Sequence, residues 1–271
     1  MVVFRMIDIL SQEYHSESKY HNLTDSPENI INNLIINIKQ LRFFCNNHRK
    51  NTYFCMTRTT MKETIFKSRF FLYGYLPVLG ICLILLYLYG MDPIELWINS
   101  HNSLAADSFF RIYTNVGDGL FVVVVCVLLL FYHYGTALFI FSSWLGTSIV
   151  VQFIKHIVFP DAPRPRSVLG PALHYVDGVT VHAMQSFPSG HTATAFAFFM
   201  ALSILNKNKW LQLSFLLCAL LAGYSRMYLS QHFITDATAG SVIGILVTVL
   251  VFILYERHHK DWMNKSLVRK R

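Results

Sequence analysis

A histidine and an aspartate in the C-terminal third of the chain are spaced for nucleophilic chemistry. His232 and Asp236 are four residues apart, and Arg226 stands six positions before the histidine. Residues four apart share one face of a helical turn. A carboxylate at one imidazole nitrogen fixes the tautomer and leaves the other nitrogen free to attack. We therefore predict His232 as a nucleophile with Asp236 as its partner; the plainer alternative is a helix-surface pair.

Cationic and small residues elsewhere in the chain suit a tetrahedral anion. Lys155, Arg164 and Arg226 are hydrogen-bond donors that carry positive charge. Ser189 and Gly190 stand where a helix is expected to begin, and free amides together with the helix dipole favour an anion there. The sequence thus predicts a site for a phosphate group.

His191 follows this helix start and is suited to protonate a leaving oxygen. The whole set predicts phosphoryl transfer through a phosphohistidine, with side-chain cations holding the transition-state charge. We predict neither a metal site nor a cofactor. The five cysteines have neither the spacing of a metal site nor that of a disulfide framework.

Long apolar runs must position these residues. Apolar residues make up 54% of the chain and charged residues 14%, against about 45–50% and about 25% in soluble domains. A membrane-spanning helix needs about 20 mostly apolar residues. We predict an all-α polytopic membrane protein with six transmembrane helices, at 70–89, 120–132, 136–153, 192–205, 210–228 and 237–255. Gly240 and Gly244 in the last run predict close helix packing.

The formal net charge of +8 is distributed unevenly along this topology. The face that carries both termini has 18 Lys/Arg and 8 Asp/Glu, whereas the opposite face has 5 Lys/Arg and 7 Asp/Glu. An excess of basic residues marks the cytoplasmic side. We therefore predict cytoplasmic termini and a site that faces the periplasm or the exterior. The excess is an orientation signal, which argues against a nucleic-acid partner.

Three regions follow from this pattern. Residues 1–60 are rich in Asn, Ser and Lys and have no spanning run; we interpret them as a polar extension, either not native or poorly ordered, with Met61 as the alternative start. Residues 61–257 form the predicted membrane domain, and 258–271 a basic cytoplasmic tail. Within the domain, 91–118 is expected to be an amphipathic stretch at the membrane interface.

In their order along the chain, these residues resemble the three signatures of the type-2 phosphatidic acid phosphatase family, whose active site is similar to that of vanadium haloperoxidases. Residues 188–191 (PSGH) resemble the second signature, and 225–236 (SRMYLSQHFITD) the third. Lys155 with Arg164-Pro165 resembles the first, although eight residues separate the two cations where the family usually has six. Either the loop bulges between Pro160 and Pro163, or Arg166 takes the place of Arg164.

The resemblance covers roughly residues 70–255 and implies a metal-independent lipid phosphatase that works on a membrane lipid. It implies His232 as nucleophile, Asp236 as its partner and His191 as general acid. It implies phosphate binding by Lys155, Arg164, Ser189, Gly190 and Arg226. Lipid A, undecaprenyl diphosphate, phosphatidic acid and phosphatidylglycerophosphate all carry a suitable phosphate. A lipid phosphotransferase with the same site and a non-enzymatic transporter are the alternatives.

Overall fold

The computed structural model describes residues 61–268, which form helices joined by turns and one long loop, without a β-strand. The α-helices of these residues are α1 Met61–Lys67, α2 Arg69–Tyr89, α3 Met91–Ser100, α4 Leu104–Tyr113, α5 Gly119–Leu130, α6 Tyr134–Phe153, α7 Pro165–Leu169, α8 Gly190–Leu205, α9 Lys209–Tyr228 and α10 Ile234–Arg257. The predicted all-α class is confirmed for this part. The predicted extension, 1–60, lies outside the described residues, as do the last three residues of the tail.

Three of the described helices are long and apolar enough to cross a membrane, namely α2, α10 and α6 with its continuation to Val158. A fourth span arises if Leu104–Gly117 and Gly119–Leu130, bent by 58°, count as one. The predicted number of six spans is therefore not confirmed, whereas a helical protein with three or four candidate spans is. The apolar helix α8 has 16 residues and extends about 24 Å, which is less than the roughly 30 Å of a hydrocarbon core. These helices are those of an integral membrane protein.

Helix α8 is the central helix of the described bundle. It packs against α6, α9 and α10, and almost all of its side chains are buried. Small residues make this possible, because Ala193, Ala195, Ala197 and Ala201 let neighbouring backbones approach closely. The N-terminus of α8 is therefore held firmly at one end of the bundle.

The stretch 91–118 is helical, as expected, but it divides into α3, α4 and the 3₁₀ turn Thr114–Gly117. It is not wholly a surface element, because α3 buries Glu95 and Asn99. Burial raises the pKa of Glu95 to about 9, so this carboxyl is neutral at physiological pH. Asn99 donates to the carbonyl of His174 and to the Ser230 hydroxyl, each at 2.9 Å. The stretch thereby joins the long loop to the turn before α10.

Candidate active site

The predicted site residues lie at helix ends and turns that meet at one end of the bundle. Lys155 lies in the π-helical turn that follows α6, Arg164 caps α7, Ser189 caps α8, Arg226 is in the last turn of α9, and His232 lies in the turn before α10. The charges of Lys155, Arg164 and Arg226 all act on His232. π-Helical turns inside α-helices are frequent at functional sites.

His232 and Asp236 lie side by side inside the protein. Nδ1 of His232 is 3.4 Å from Oδ2 of Asp236, and the two residues are 2% and 3% exposed. Asp236 also accepts from the backbone amide of Phe233 at 3.0 Å and from the Ser186 hydroxyl. These two donors hold the carboxylate in place. Because Nδ1 faces the carboxylate, Nε2 is the ring nitrogen directed away from it.

The surroundings of His232 keep its imidazole neutral. Burial is the first cause, and the positive charges of Arg226 and Arg164 add to it, so the pKa of His232 lies well below 6.5. A neutral imidazole has a free lone pair, which a nucleophile needs.

Arg226 is buried, and one of its three nitrogen atoms, Nε, has no acceptor among the described residues. Its Nη1 donates to the Thr114 hydroxyl at 2.6 Å, and its Nη2 donates to Oε1 of Gln231 at 3.3 Å. Its Nε has no hydrogen-bond partner within residues 61–268, although that atom is buried. A buried donor without an acceptor is costly, and an anion bound at this point would satisfy it.

Arg164 holds several backbone carbonyls together. Its Nε donates to the carbonyl of Met184 at 2.9 Å and its Nη2 to that of Gln185 at 3.3 Å, while Nη1 donates to the carbonyl of Gln231 at 3.1 Å. Burial lowers the pKa of Arg164. Arg166 is exposed and donates instead to the carbonyl of Val181 at 2.8 Å. The eight-residue spacing left Arg164 and Arg166 as alternatives for the phosphate contact, and of these Arg164 is the one that lies with the other predicted site residues.

Ser189 and His191 define the start of α8. The Ser189 hydroxyl accepts from the amide of Thr192 at 3.4 Å, which makes Ser189 a helix cap. The backbone amide of Ser189 donates to the carbonyl of Asp236 at 3.0 Å, so this amide is not available to bind an anion. The amides of Gly190 and His191 belong to the first turn, where N–H groups have no acceptor within the helix.

The part of the chain that holds this arrangement is similar to a known family. Residues 135–260 match the sequence model of the PAP2 superfamily, which is the family that the three motifs resemble. The matched residues make up a little under half of the chain. The matched range contains every predicted catalytic and phosphate-binding residue.

Two relatives and one solved structure are similar to this chain. The lipid A 1-phosphatase of Rhizobium etli is 24% identical over 178 residues, which cover 58% of this chain and 75% of the relative. The lipid A 4'-phosphatase of Porphyromonas gingivalis is 28% identical over 170 residues, or 59% and 70%. The crystal structure of Aquifex aeolicus LpxE matches with a TM-score of 0.54 and 24% identity, over 60% of this chain and 94% of that one. The predicted enzyme class, a phosphatase, is thus confirmed at the level of the family.

Several residues of this site were not predicted from the sequence. Asp118 caps α5, and its Oδ2 lies 3.8 Å from Nε2 of His191. Thr114 and Ser186 contact Arg226 and Asp236, as described above. Thr114 and Asp118 were expected only in an interfacial stretch. The one available signal for Asp118 was its place between two glycines, Gly117-Asp118-Gly119, which is typical of a tight turn before a helix.

A second polar cluster connects the long loop to the helix bundle. Nε2 of His174 lies 3.0 Å from Oδ2 of Asp107, and the Tyr228 hydroxyl donates to Oδ1 of Asp107 at 2.5 Å. Arg111 donates to the carbonyl of Asp177 at 3.2 Å. His174 thus anchors the long loop to α4 and α9.

Proposed function

We propose that this protein is a lipid phosphatase that hydrolyses a phosphomonoester or a diphosphate on a membrane lipid through a phosphohistidine. The observation that carries the proposal is the buried contact of His232 with Asp236, beside an arginine whose Nε lacks an acceptor. A neutral imidazole, a fixed carboxylate and nearby cations are what nucleophilic attack on a phosphate needs.

The first chemical step is attack on phosphorus. The phosphate docks against Lys155, Arg164 and Arg226 and against the first amides of α8. Nε2 of His232 then forms a bond to phosphorus while the bond to the leaving oxygen breaks. Burial and nearby cations lower the pKa of His191 to about 3 in the anion-free site. His191 takes up a proton once the negatively charged phosphate lies beside it together with Asp118, and it gives this proton to the leaving oxygen, so that the dephosphorylated lipid leaves as an alcohol or a phosphate.

The second step returns the enzyme to its starting state. Neutral His191 takes a proton from water, and the resulting oxygen nucleophile displaces His232 from phosphorus. Inorganic phosphate leaves, and His191 is protonated again. The carboxylate of Asp236 stabilises the imidazolium character of His232 in both steps.

The orientation in the membrane remains the one that the charge distribution predicts. The termini are cytoplasmic, and the site faces the periplasm or the exterior, because basic residues are concentrated on the terminal face. A site at the membrane interface suits an amphiphilic substrate that enters from the bilayer.

We place lipid A first among the substrates. The two relatives described above are named as lipid A phosphatases. Undecaprenyl diphosphate comes next, because it too meets a site on the periplasmic side. Phosphatidic acid and phosphatidylglycerophosphate are the remaining members of the test set.

The test is phosphate release by purified full-length protein from these four lipids, with EDTA present. We expect release that EDTA does not affect and that His232→Ala abolishes, while His182→Ala, a change at an exposed histidine of the long loop, retains it. An active His232→Ala variant or EDTA-sensitive turnover would contradict the mechanism. Transfer of phosphate to a second lipid without free phosphate would favour the phosphotransferase alternative.

A further inference from the structure

Gln231 lies directly before the nucleophile in sequence and joins the two buried arginines of the site. Its side-chain Oε1 accepts from Nη1 of Arg164 and from Nη2 of Arg226, each at 3.3 Å. Its backbone carbonyl accepts from Nη1 of Arg164 at 3.1 Å, and its backbone amide donates to the carbonyl of Arg226 at 2.9 Å. Gln231 is 3% exposed, so these contacts are shielded from water.

The other end of the same amide fixes its orientation. Nε2 of Gln231 donates to the carbonyl of Thr180 at 2.7 Å. A flipped amide would direct NH₂ at two guanidinium groups and oxygen at a carbonyl, which would remove every one of these side-chain hydrogen bonds. The carbonyl oxygen of Gln231 therefore faces the cations, and the long loop is attached to the same side chain.

The neutrality of this side chain matters for an anion site. Two guanidinium groups held close together repel each other, and an acceptor between them reduces that cost. A carboxylate would accept from both groups more strongly, but it would cancel part of the positive charge that attracts a phosphate. An amide supplies the acceptor and leaves the charge available.

We propose that Gln231 is a positioning residue that holds Arg164 and Arg226 at a fixed separation, without neutralising them, and connects them to the long loop at Thr180. This inference rests on the proposed function, since it concerns the phosphate site of that reaction. Gln231 acts through the two arginines, and its substitution changes how tightly the site binds a phosphate-like anion.

The test measures orthovanadate binding to purified full-length protein, with thermal unfolding followed in parallel. Vanadate mimics the phosphoryl group and needs no lipid. For Gln231→Glu we expect the anion-free protein to be more thermally stable than Gln231→Met, because the carboxylate pairs with two cations although it loses the hydrogen bond to the carbonyl of Thr180. We expect vanadate to bind about 10- to 100-fold more weakly, because the carboxylate cancels part of the positive charge of the two arginines; the size is comparable to the loss of one charged hydrogen bond.

A second variant removes the acceptor and keeps the side-chain length. For Gln231→Met we expect both lower thermal stability and weaker vanadate binding, because the arginines then repel without a bridge. With the preferred lipid, KM rises in both variants by a larger factor than kcat falls, because neither change touches His232 or His191.

The matched control is Gln212, which is also buried. Its Nε2 donates to the carbonyls of Lys67 and Asn206, each at 2.7 Å, near the start of α9. Gln212→Met is expected to lower thermal stability and to leave vanadate affinity unchanged. Vanadate affinity within twofold of the wild type in Gln231→Glu or Gln231→Met would overturn the proposal. A wild-type protein that binds no vanadate would instead overturn the phosphate site itself.

Discussion

The carbonyl oxygen of Ser189 lies so close to Gly240 that a β-carbon on the glycine would come within 2.5 Å of it. The amide of Ser189 donates to the carbonyl of Asp236, one turn earlier in α10, at 3.0 Å. Two of the three motifs are thus fixed relative to each other by direct backbone contact. Gly244, one turn later, faces the carbonyl of Ala193 in the same way.

Gly240→Ala is expected to reduce both activity and stability. The added methyl group meets backbone atoms, which cannot move aside as a flexible side chain would, and overpacking of this kind costs about 1–3 kcal/mol. The start of α8 would shift relative to His232. The measurement is phosphate release together with the thermal unfolding midpoint.

The control for this change is Gly80→Ala in α2, where a β-carbon would meet nothing within 4 Å. We expect Gly80→Ala to keep wild-type activity. Equal losses in the two variants would show that glycine content in general matters, and not the contact of Gly240 with Ser189.

Asp236→Asn is expected to lower kcat strongly while the protein stays folded. The asparagine amide oxygen can take the place of Oδ2, which faces Nδ1 of His232 and accepts from the amide of Phe233, but it carries no negative charge to stabilise the imidazolium character of His232. A comparable change in a serine-protease triad costs on the order of 10⁴ in kcat, and we expect about 10²–10⁴ here. Ser186→Ala, which removes one donor to the same carboxylate, should have a smaller effect. A larger loss of kcat in Ser186→Ala than in Asp236→Asn would be inconsistent with Asp236 as the direct partner of His232 and Ser186 as a donor to Asp236.

Acid is expected to destabilise the protein through His232. The pKa of this histidine in the folded protein lies well below 6.5 because of burial and neighbouring cations, whereas in the unfolded chain it titrates near 6.5. Below about pH 6.5 the unfolded state therefore binds a proton that the folded state does not. The free energy of unfolding falls with decreasing pH, with a slope that approaches about 1.4 kcal/mol per pH unit from this group.

Thermal unfolding of the wild type and of His232→Asn between about pH 5 and pH 8 tests whether acid lowers the free energy of unfolding through His232. The variant should lose less stability on acidification, whereas His182→Ala should follow the wild type. A steeper acid dependence in His232→Asn would be evidence against a neutral, buried imidazole.

The motif residues were predictable because local chemistry places them. Ser189 is a helix cap, and His232 with Asp236 spans one helical turn, so residue type and spacing suffice to relate them. Thr114 and Gln231 could not be found in this way. Thr114 reaches Arg226 across 112 positions of sequence, and the role of Gln231 depends on where the loop places Thr180.

The number of membrane spans was less predictable for a physical reason. Hydropathy identifies helices that face lipid, such as α2, which has few buried residues. Helix α8 is buried by its neighbours, so its length need not match the bilayer. Helix α9 carries Gln212 and Arg226 toward its two ends, which lowers its mean hydropathy although other helices cover it.

Arg164→Lys is expected to reduce kcat/KM by about 10- to 100-fold, the range for one or two lost charged hydrogen bonds. Lysine keeps the positive charge, but it cannot reproduce the fork that reaches Met184, Gln185 and Gln231 together. The loop would then hold its cation less rigidly near the phosphate.

The control is Arg166→Lys, since exposed Arg166 makes one hydrogen bond, to the carbonyl of Val181. The activity of Arg166→Lys should stay within about twofold of that of the wild type. Equal losses of activity in Arg166→Lys and Arg164→Lys would indicate that the longer spacing after Lys155 places Arg166, and not Arg164, against the phosphate. The hydrogen bonds of Arg164 would then serve only to hold the loop in place.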